Sequence, residues 1–295
     1  MNETRLGGQG AGVQETIRPV VVPLDGSKIA EKALPAALVL ARCYDAPLSL
    51  VHVVDHDEAP APADLDRARR IFADYVEGLL KHADAEGYPH ATIVAAGGAA
   101  STILDVSSNA RAIVLASHGK GGLRAALIGS VADKVIRGAR VPVLMVPMGG
   151  RTKLDAAPVV VGLDGSPAGE SGLEVARDLA ARLKTHLVLV RAFNLPPQSG
   201  IEFVAYQVDV IAAVEEGARD YLERAARPGE QCVCAMGSPV DVLVQTAAEV
   251  DAGLVVLTSH GKGWAQRLAL GSTTDRAVHR IKRPLLIVPV PGGTQ

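Results

Sequence analysis

The sequence predicts an α/β protein made of two tandem copies of one domain, each a five-stranded parallel sheet with helices on both faces. The pattern from Ser117-His118-Gly119 to Gly129-Ser130 recurs 142 positions later, from Ser259-His260-Gly261 to Gly271-Ser272. Short runs rich in Val, Leu and Ile also alternate with helical stretches in both halves, as right-handed βαβ crossovers require. A chain of 295 residues is long enough for two such cores.

Each half opens with a β-branched run that ends in Asp-Gly-Ser. Residues 19–23 lead to Asp25-Gly26-Ser27, and residues 158–162 lead to Asp164-Gly165-Ser166. Such a run predicts a buried strand, a turn and a helix N-cap. Pro167 follows the second cap, where its missing N–H costs nothing.

The remaining elements follow in the same order in both halves. A helix comes first, and Pro35 predicts a kink in the first copy. The offset between the copies grows from 139 to 142, which predicts a three-residue insertion in a surface connection. The later strands are predicted at residues 48–54, 91–96, 112–116 and 141–146 of the first half, and 187–193, 231–236, 254–258 and 283–288 of the second, with helices between them.

These patterns predict the division of the chain. We expect a disordered tail at residues 1–16, a first domain at 17–148, a linker at 149–155 and a second domain at 156–291. The linker is short, so the two halves are expected to dock. The last strand of each half is an apolar edge, which predicts that the two final strands pair with each other.

Composition argues against several classes of function. The formal net charge of −2 gives no long-range positive potential that would attract a polyanion. Neither nucleic acid nor an acidic membrane surface is therefore expected as a partner. No apolar run reaches the roughly 18 to 20 residues of a membrane span. Three cysteines cannot form a disulfide framework, which favours a reducing cytoplasm. We expect Cys43, Cys232 and Cys234 to be packed core residues, and no metal site is expected because further ligands are not suitably spaced.

The glycine loops are typical of phosphate-binding sites. In a parallel sheet they fall at the carboxyl ends of strands, and Gly129-Ser130 and Gly271-Ser272 then open a helix whose N-terminus attracts anions. The serines also fit a capping-box variant, with Asp133 and Asp275 three residues further on. His118 and His260 repeat, and a backbone hydrogen bond that orients the loop is expected of them rather than an acid role.

On these motifs the chain resembles the universal stress protein family in its tandem two-domain form, over residues 18–290. The resemblance implies a Rossmann-like, adenine nucleotide alpha hydrolase-like fold and ATP as ligand, with or without Mg²⁺. It implies these nucleotide-binding residues in the first domain: Pro23, Asp25, Val53, Leu115, Ala116, Gly119, Gly129, Ser130 and Val131. In the second domain it implies Gly162, Asp164, Ala192, Leu257, Thr258, Gly261, Gly271, Ser272 and Thr273.

The family motif, Gly-x-x-Gly followed by nine residues and Gly-Ser/Thr, is incomplete here. Ala116 and Thr258 stand where the family has its first glycine. Alanine adds one methyl, whereas threonine adds a β-branched hydroxyl that can crowd or bond the ligand. The first-domain site is therefore expected to be the better of the two.

Three functions remain open from the sequence. The first is a regulatory protein in which bound ATP or AMP controls association or the choice of partner. The family resemblance suggests that it acts in a stress response and forms homo-oligomers such as a dimer of tandem chains. The second is an enzyme, either a weak ATPase or a nucleotidyl-transferring protein, although the sequence has no Walker loop and one Asp per domain provides few ligands for magnesium. The third is a nucleotide-free scaffold. No residue is predicted to be catalytic.

Overall fold

The computed structural model describes residues 18–54, 61–118, 128–194, 208–260 and 270–290. The first half contains strands β1 Val20–Pro23, β2 Leu48–Val54, β3 His90–Ala96, β4 Ala112–Ala116 and β5 Val143–Val146, with helices α1 Ala33–Cys43, α2 Pro62–His82, α3 Ala99–Val106 and α4 Ser130–Gly138. The second half contains strands β6 Val159–Gly162, β7 Leu187–Phe193, β8 Gln231–Met236, β9 Leu254–Thr258 and β10 Leu285–Val288, with helices α5 Pro167–Leu183, α6 Val208–Ala225, α7 Pro239–Glu249 and α8 Ser272–Arg280.

The strands form one continuous sheet in the order β3-β2-β1-β4-β5-β10-β9-β6-β7-β8. Strands within each half are parallel, and the two halves meet where β5 and β10 run antiparallel. Leu286 lies opposite Leu144 at this junction, and both side chains are buried. The predicted fold class and the predicted pairing of the two final strands are therefore confirmed.

Helices cover both faces of the sheet because the strand residues alternate between two apolar layers. One layer packs against α1, α2, α5 and α6, and the other packs against α3, α4, α7 and α8. Both layers continue across the junction, since β5 and β10 contribute Leu144 and Leu286 to the first layer and Met145 and Leu285 to the second. The two halves thus share their core.

Polar contacts join the halves on each face of the sheet. On one face the Tyr44 hydroxyl, just past the end of α1, donates to Asp178 Oδ2 of α5 at 2.7 Å. The Arg182 guanidinium lies 4.4 Å from the centre of the Tyr44 ring. On the other face Arg137 of α4 donates to Asp275 of α8. These contacts and the shared strands hold the halves in a fixed register.

Strand bounds agree with the sequence prediction to within two residues. The third strand begins one residue early, at His90, and the last strands begin two residues late, at Val143 and Leu285. Pro142 and Pro284 precede those two strands. Proline has no N–H to donate to a ladder, so each strand begins only after it.

The predicted kink at Pro35 is wrong. A 3₁₀ turn at Ala30–Lys32 precedes α1, which begins at Ala33. Pro35 therefore lies in the first turn of the helix, where backbone N–H groups have no helical partner to lose.

The prediction of one three-residue insertion is also wrong. The strand ends Val54 and Phe193 differ by 139 positions, and Ala96 and Met236 differ by 140. The offset reaches 142 only in the next strand pair, after α7, which is longer than its counterpart α3. The difference in length therefore arises in two separate parts of the chain, with one residue added between the second and third strands and two between the third and fourth.

The prediction that all three cysteines are core residues is wrong. Cys232 is exposed, while Cys43 and Cys234 are half-buried. Cys232 and Cys234 lie on β8, an outer strand of the sheet. Within the described ranges, no group of three or more His, Cys, Asp or Glu side chains could hold a metal ion, and no helix is long and apolar enough to cross a membrane.

Candidate functional site

The strand order reverses at two equivalent places in the sheet. β1 lies between β2 and β4, and β6 lies between β7 and β9. The chain leaves β1 for α1 on one face of the sheet and leaves β4 for α4 on the other, and it leaves β6 and β9 for α5 and α8 in the same way. A crevice opens beyond the carboxyl ends of each such strand pair. Asp25 follows β1 and Asp164 follows β6 at these positions.

A cavity of about 480 Å³ occupies the crevice of the second domain. Its volume is within the range of small-molecule sites. Eight of the nine residues predicted for this domain line it, namely Gly162, Asp164, Ala192, Leu257, Thr258, Gly271, Ser272 and Thr273. The ninth, Gly261, lies outside the described residues, and so do Gly119 and the tail at residues 1–16.

Asp164 shapes the turn that forms one wall of this cavity. Its Oδ1 accepts hydrogen bonds from the Ser166 backbone N–H at 2.9 Å and from the Ser166 hydroxyl at 2.5 Å. The Ser166 Oγ in turn accepts from the Gly169 N–H at 3.1 Å, so Ser166 is the N-cap of α5 as predicted. Gly165 has a φ of +77°, a conformation that favours glycine.

The first domain repeats this turn. Asp25 Oδ1 accepts from the Ser27 N–H at 2.9 Å, and Ser27 Oγ accepts from the Ala30 N–H at 3.1 Å. The other described residues predicted for this site lie along the same edge of the sheet: Pro23 ends β1, Val53 lies near the end of β2, Leu115 and Ala116 end β4, and Gly129, Ser130 and Val131 form the start of α4.

Backbone hydrogen bonds pin the ends of both glycine loops. The Gly271 N–H donates to the Ser259 carbonyl at 2.8 Å, and the Ser259 N–H donates to the Val288 carbonyl at 2.8 Å. In the first domain the Gly129 N–H donates to the Ser117 carbonyl at 2.8 Å. The N–H groups of Gly129 and Gly271 therefore already donate hydrogen bonds within the protein. These glycines close the loops and act as the N-caps of the helices that follow.

The helix that follows each loop begins without a side-chain cap. Gly271 is the N-cap of α8, with φ −56° and ψ 147°. Within the described ranges, no side chain caps this helix by accepting a hydrogen bond from the N–H groups of its first turn. The first helical bond runs from the Asp275 N–H to the Gly271 carbonyl. The N–H groups of Ser272 and Thr273 consequently have no partner within the helix, and they carry the positive end of its dipole.

This geometry overturns the capping-box alternative. Ser130 and Ser272 are the first residues of α4 and α8 rather than N-caps. Their expected partners, Asp133 and Asp275, bind the Arg137 guanidinium instead.

Thr258 fits the second domain because a glycine faces it. A Cβ at Gly172 of α5 would lie 2.7 Å from Thr258 Cγ2, so only glycine leaves room for that methyl. The Thr258 hydroxyl donates to the His260 carbonyl at 2.9 Å. The hydroxyl that the sequence suggested for the ligand therefore has a protein partner.

Some cavity residues were not predicted from the sequence. Arg191 of β7 lines the cavity, and its guanidinium lies 4.4 Å from the centre of the Tyr221 ring. The aligned residue of the first domain is His52, whose Nδ1 lies 2.8 Å from the Leu24 carbonyl and whose ring stacks on Phe72. The two sites thus differ in charge at this position, a difference visible in the aligned sequences.

The two loop histidines bond side chains. His118 Nδ1 lies 3.0 Å from Ser117 Oγ, and His260 Nδ1 lies 2.9 Å from Ser259 Oγ. The sequence had suggested a backbone partner for these rings. His260 lines the cavity of the second domain.

Comparison with known proteins assigns the chain to a family. The sequence profile described as "Universal stress protein family" matches residues 16–147 and again residues 157–289. The chain belongs to the universal stress protein family. A universal stress protein of Mycobacterium tuberculosis strain H37Rv is 31% identical over 287 residues, which cover 91% of this chain and 96% of the relative. A second universal stress protein of the same strain is 28% identical over 285 residues, covering 91% and 95%.

Solved structures of universal stress proteins are similar to this chain. One from Archaeoglobus fulgidus DSM 4304 covers 94% of this chain and 100% of its own at 18% identity, with a TM-score of 0.68. A shorter universal stress protein, solved in complex with cAMP, covers 46% of this chain and 98% of its own at 29% identity, with a TM-score of 0.33. The Archaeoglobus fulgidus structure therefore shares the fold of this chain along nearly its whole length.

Proposed function

We propose that this universal stress protein binds an adenine nucleotide, ATP in particular, in the crevice of the second domain, and that binding regulates a stress response. The cavity between Asp164 and the start of α8 carries this proposal. It joins an apolar slot to a helix N-terminus that lacks a side-chain cap, which suits a ligand with a flat apolar ring at one end and anionic groups at the other.

The parts of the ligand can be assigned by chemistry. The N–H groups of Ser272 and Thr273 are the donors for phosphate oxygens, because an anion there replaces the missing cap. Leu257 and Ala192 offer apolar surface for the adenine ring. Asp164, at the end of β6, provides a carboxylate acceptor for a ribose hydroxyl, the role that the family resemblance implies.

We place the stronger site in the second domain. The sequence favoured the first domain because a threonine at position 258 can crowd or bond the ligand, but the opposing Gly172 accommodates its methyl. Arg191 also places a permanent positive charge in the second-domain site. The aligned residue of the first domain, His52, carries no permanent charge. A first-domain site formed by Pro23, Asp25, Val53, Leu115, Ala116, Gly119, Gly129, Ser130 and Val131 remains part of the proposal, with lower affinity.

A proline substitution can test the phosphate donors directly. Ser272→Pro removes one N–H at the first helical position, where proline is tolerated, and Gly271 already has the extended backbone that proline requires of its predecessor. Ser272→Ala keeps the N–H and is the matched control. Loss of a hydrogen bond to a charged group corresponds to about 10- to 100-fold weaker ATP binding. Ser130→Pro, beside Ser130→Ala, tests the first domain in the same way.

Calorimetry with ATP, with and without Mg²⁺, and with uncharged adenosine would measure these effects. We expect Ser272→Pro to weaken ATP binding and to leave adenosine binding nearly unchanged, because adenosine has no phosphate. Equal ATP affinity in Ser272→Pro and Ser272→Ala would contradict the assignment of the phosphates. Absence of binding by the wild-type chain at millimolar ATP would favour the nucleotide-free scaffold.

The consequence of binding is proposed to be association between chains, such as a dimer of tandem chains. Light scattering after gel filtration, with and without ATP, tests this. An ATP-independent mass would contradict regulation through assembly. Slow hydrolysis is the alternative, and phosphate release that depends on Asp25 or Asp164 would support it.

A further inference from the structure

A second cavity, of about 350 Å³, lies at the junction of the two domains. Its walls come from the ends of β4 and β5, from the residues that link the domains, and from the end of α8. It shares no lining residue with the cavity beside Asp164. The lining residues are Ser117, His118, Ile128, Met145, Pro147, Met148, Gly149, Gly150, Val278, His279, Ile281 and Lys282.

The linker is held in place around this cavity. The Met148 N–H donates to Ser117 Oγ at 3.0 Å. Gly150 has a φ of +98°, and its Cα is packed so closely against the backbone of Lys282 that a side chain would collide with it. The next N–H, that of Arg151, donates to the Lys282 carbonyl at 3.0 Å. These contacts fix the position of the linker residues that form one wall of the cavity.

His118 brings an unsatisfied hydrogen-bonding group to this place. Its side chain is 7% exposed, and its Nε2 has no hydrogen-bond partner among the described residues. Buried polar atoms are rarely left without a partner, because the loss of hydration is not compensated. The His118 ring lines the cavity, and its unpartnered nitrogen points to a ligand that reaches Nε2 after a small shift of the ring.

The neighbouring bonds indicate which protons the ring carries. Ser117 Oγ accepts the Met148 N–H and lies 3.0 Å from His118 Nδ1. The hydroxyl proton is satisfied only if it is donated to Nδ1. The neutral ring then carries its proton on Nε2, which makes Nε2–H a donor that requires an acceptor.

The other lining groups favour an anionic acceptor with an apolar body. Lys282 and His279 are the other titratable side chains of the lining, and no carboxylate is among the lining residues. The ammonium of Lys282 has no ion pair in the part of the chain that the structure describes. Met145, Val278 and Ile281 supply apolar surface. Because the volume is at the small end of ligand sites, the ligand must be small.

We propose that this junction cavity binds a small organic carboxylate. One carboxylate oxygen accepts the His118 Nε2–H, Lys282 balances the charge, and the apolar part packs against Met145 and Ile281. The site uses residues of both domains and of the linker, and it shares no residue with either proposed nucleotide site.

Calorimetric titration of the full chain with benzoate, butyrate and hexanoate tests the proposal, with benzyl alcohol as the uncharged match for benzoate. We expect at least one carboxylate to bind and benzyl alcohol to bind at least about tenfold more weakly, since it lacks the charge. His118→Asn keeps a group that can reach Ser117 and removes Nε2, so it should weaken binding about tenfold or more. His260→Asn alters the equivalent motif of the second domain, which does not line this cavity, and should leave carboxylate binding unchanged.

Lys282→Gln provides a second variant at an exposed position, so that a folding defect in His118→Asn would not decide the question. We expect it to weaken carboxylate binding several-fold and to leave benzyl alcohol unaffected. The proposal is overturned if none of the three carboxylates binds, if benzyl alcohol binds as well as benzoate, or if Lys282→Gln and a folded His118→Asn both keep the wild-type affinity.

Discussion

Arg137 Nη2 lies 2.6 Å from Asp275 Oδ1, so the last turn of α4 in the first domain is bound to the first turn of α8 in the second. The same guanidinium donates through Nε to both oxygens of Asp133, at 2.9 and 3.0 Å. One cation therefore serves two carboxylates that lie in the first turns of the two helices. The residue aligned with Arg137 in the second domain is His279, so the arrangement has no counterpart there.

Replacing Arg137 by Ala should destabilise the protein. These three side chains are 32–41% exposed, so solvent screening limits the loss to about 1 kcal/mol. Urea unfolding would measure it, and the difference from wild type should shrink at about 1 M NaCl. Arg219→Ala removes an exposed pair with Glu215 within α6 and is the control. A loss no larger than in this control would show that the bridge does not bind the domains together.

A double substitution tests the fit of Thr258 against Gly172. Gly172→Ala alone should destabilise the protein by about 1–3 kcal/mol, because the new methyl overlaps Thr258 Cγ2. Adding Thr258→Ala should recover most of this loss, since alanine is also the better helix former. The aligned residues of the first domain, Ala33 and Ala116, already form that combination. Additive effects in the double-mutant cycle would contradict the direct contact.

Glu230 should contribute to the pH dependence of stability. Two hydrogen bonds of 2.7 Å from Arg177 hold the pKa of the Glu230 carboxyl below its ordinary value. Because the folded pKa is lowered, the stabilisation is present above the ordinary pKa, about 4.5, and is lost as the pH falls through the folded value.

Glu230→Gln should therefore be less stable than wild type at pH 7, by about 1–2 kcal/mol. The difference should vanish in acid. Urea midpoints measured from pH 7 down to about pH 3 would show the two curves converge, with Glu216→Gln, an exposed glutamate of α6, as the control for removing one charge. Curves that stay parallel throughout would rule out this role.

Leu286→Ala should reveal how firmly the halves are joined. Leu286 is 2% exposed and faces Leu144 across the β5–β10 pair. Its truncation should cost about 2–4 kcal/mol through lost burial and the remaining cavity. Ile71→Ala on α2 removes a side chain that is 59% exposed and should cost far less. Similar effects of the two changes would mean that the junction opens in solution.

Much of the fold could be predicted because its signals are local. The runs 48–54, 112–116 and 187–193 were placed to the residue, since a strand buried on both faces has a largely apolar sequence. The junction followed from one further argument, that an apolar edge strand seeks a partner. Cys232 was misjudged because the position of a strand in the sheet, here the outer edge, is not encoded in the strand itself.

The parts of the site that are formed by the backbone at strand ends and helix starts could be predicted. The parts that depend on the packing of distant side chains could not. Asp164, Gly271 and Ser272 follow from strand ends and helix starts. The accommodation of Thr258 depends on Gly172, a residue 86 positions earlier. That pairing was visible only by comparing both positions with Ala33 and Ala116. The bridge from Arg137 to Asp275 had no local signal, because it depends on how two distant helices meet.

The antiparallel union of β5 and β10 has an evolutionary consequence. Two separate identical chains joined by such strands would form a symmetric dimer, in which every substitution appears twice and the complex dissociates on dilution. Fusion into one polypeptide removes both constraints. Each half is free to diverge, as the aligned pairs Arg137 and His279, and His52 and Arg191, illustrate, and a single chain can therefore carry two crevices of different chemistry.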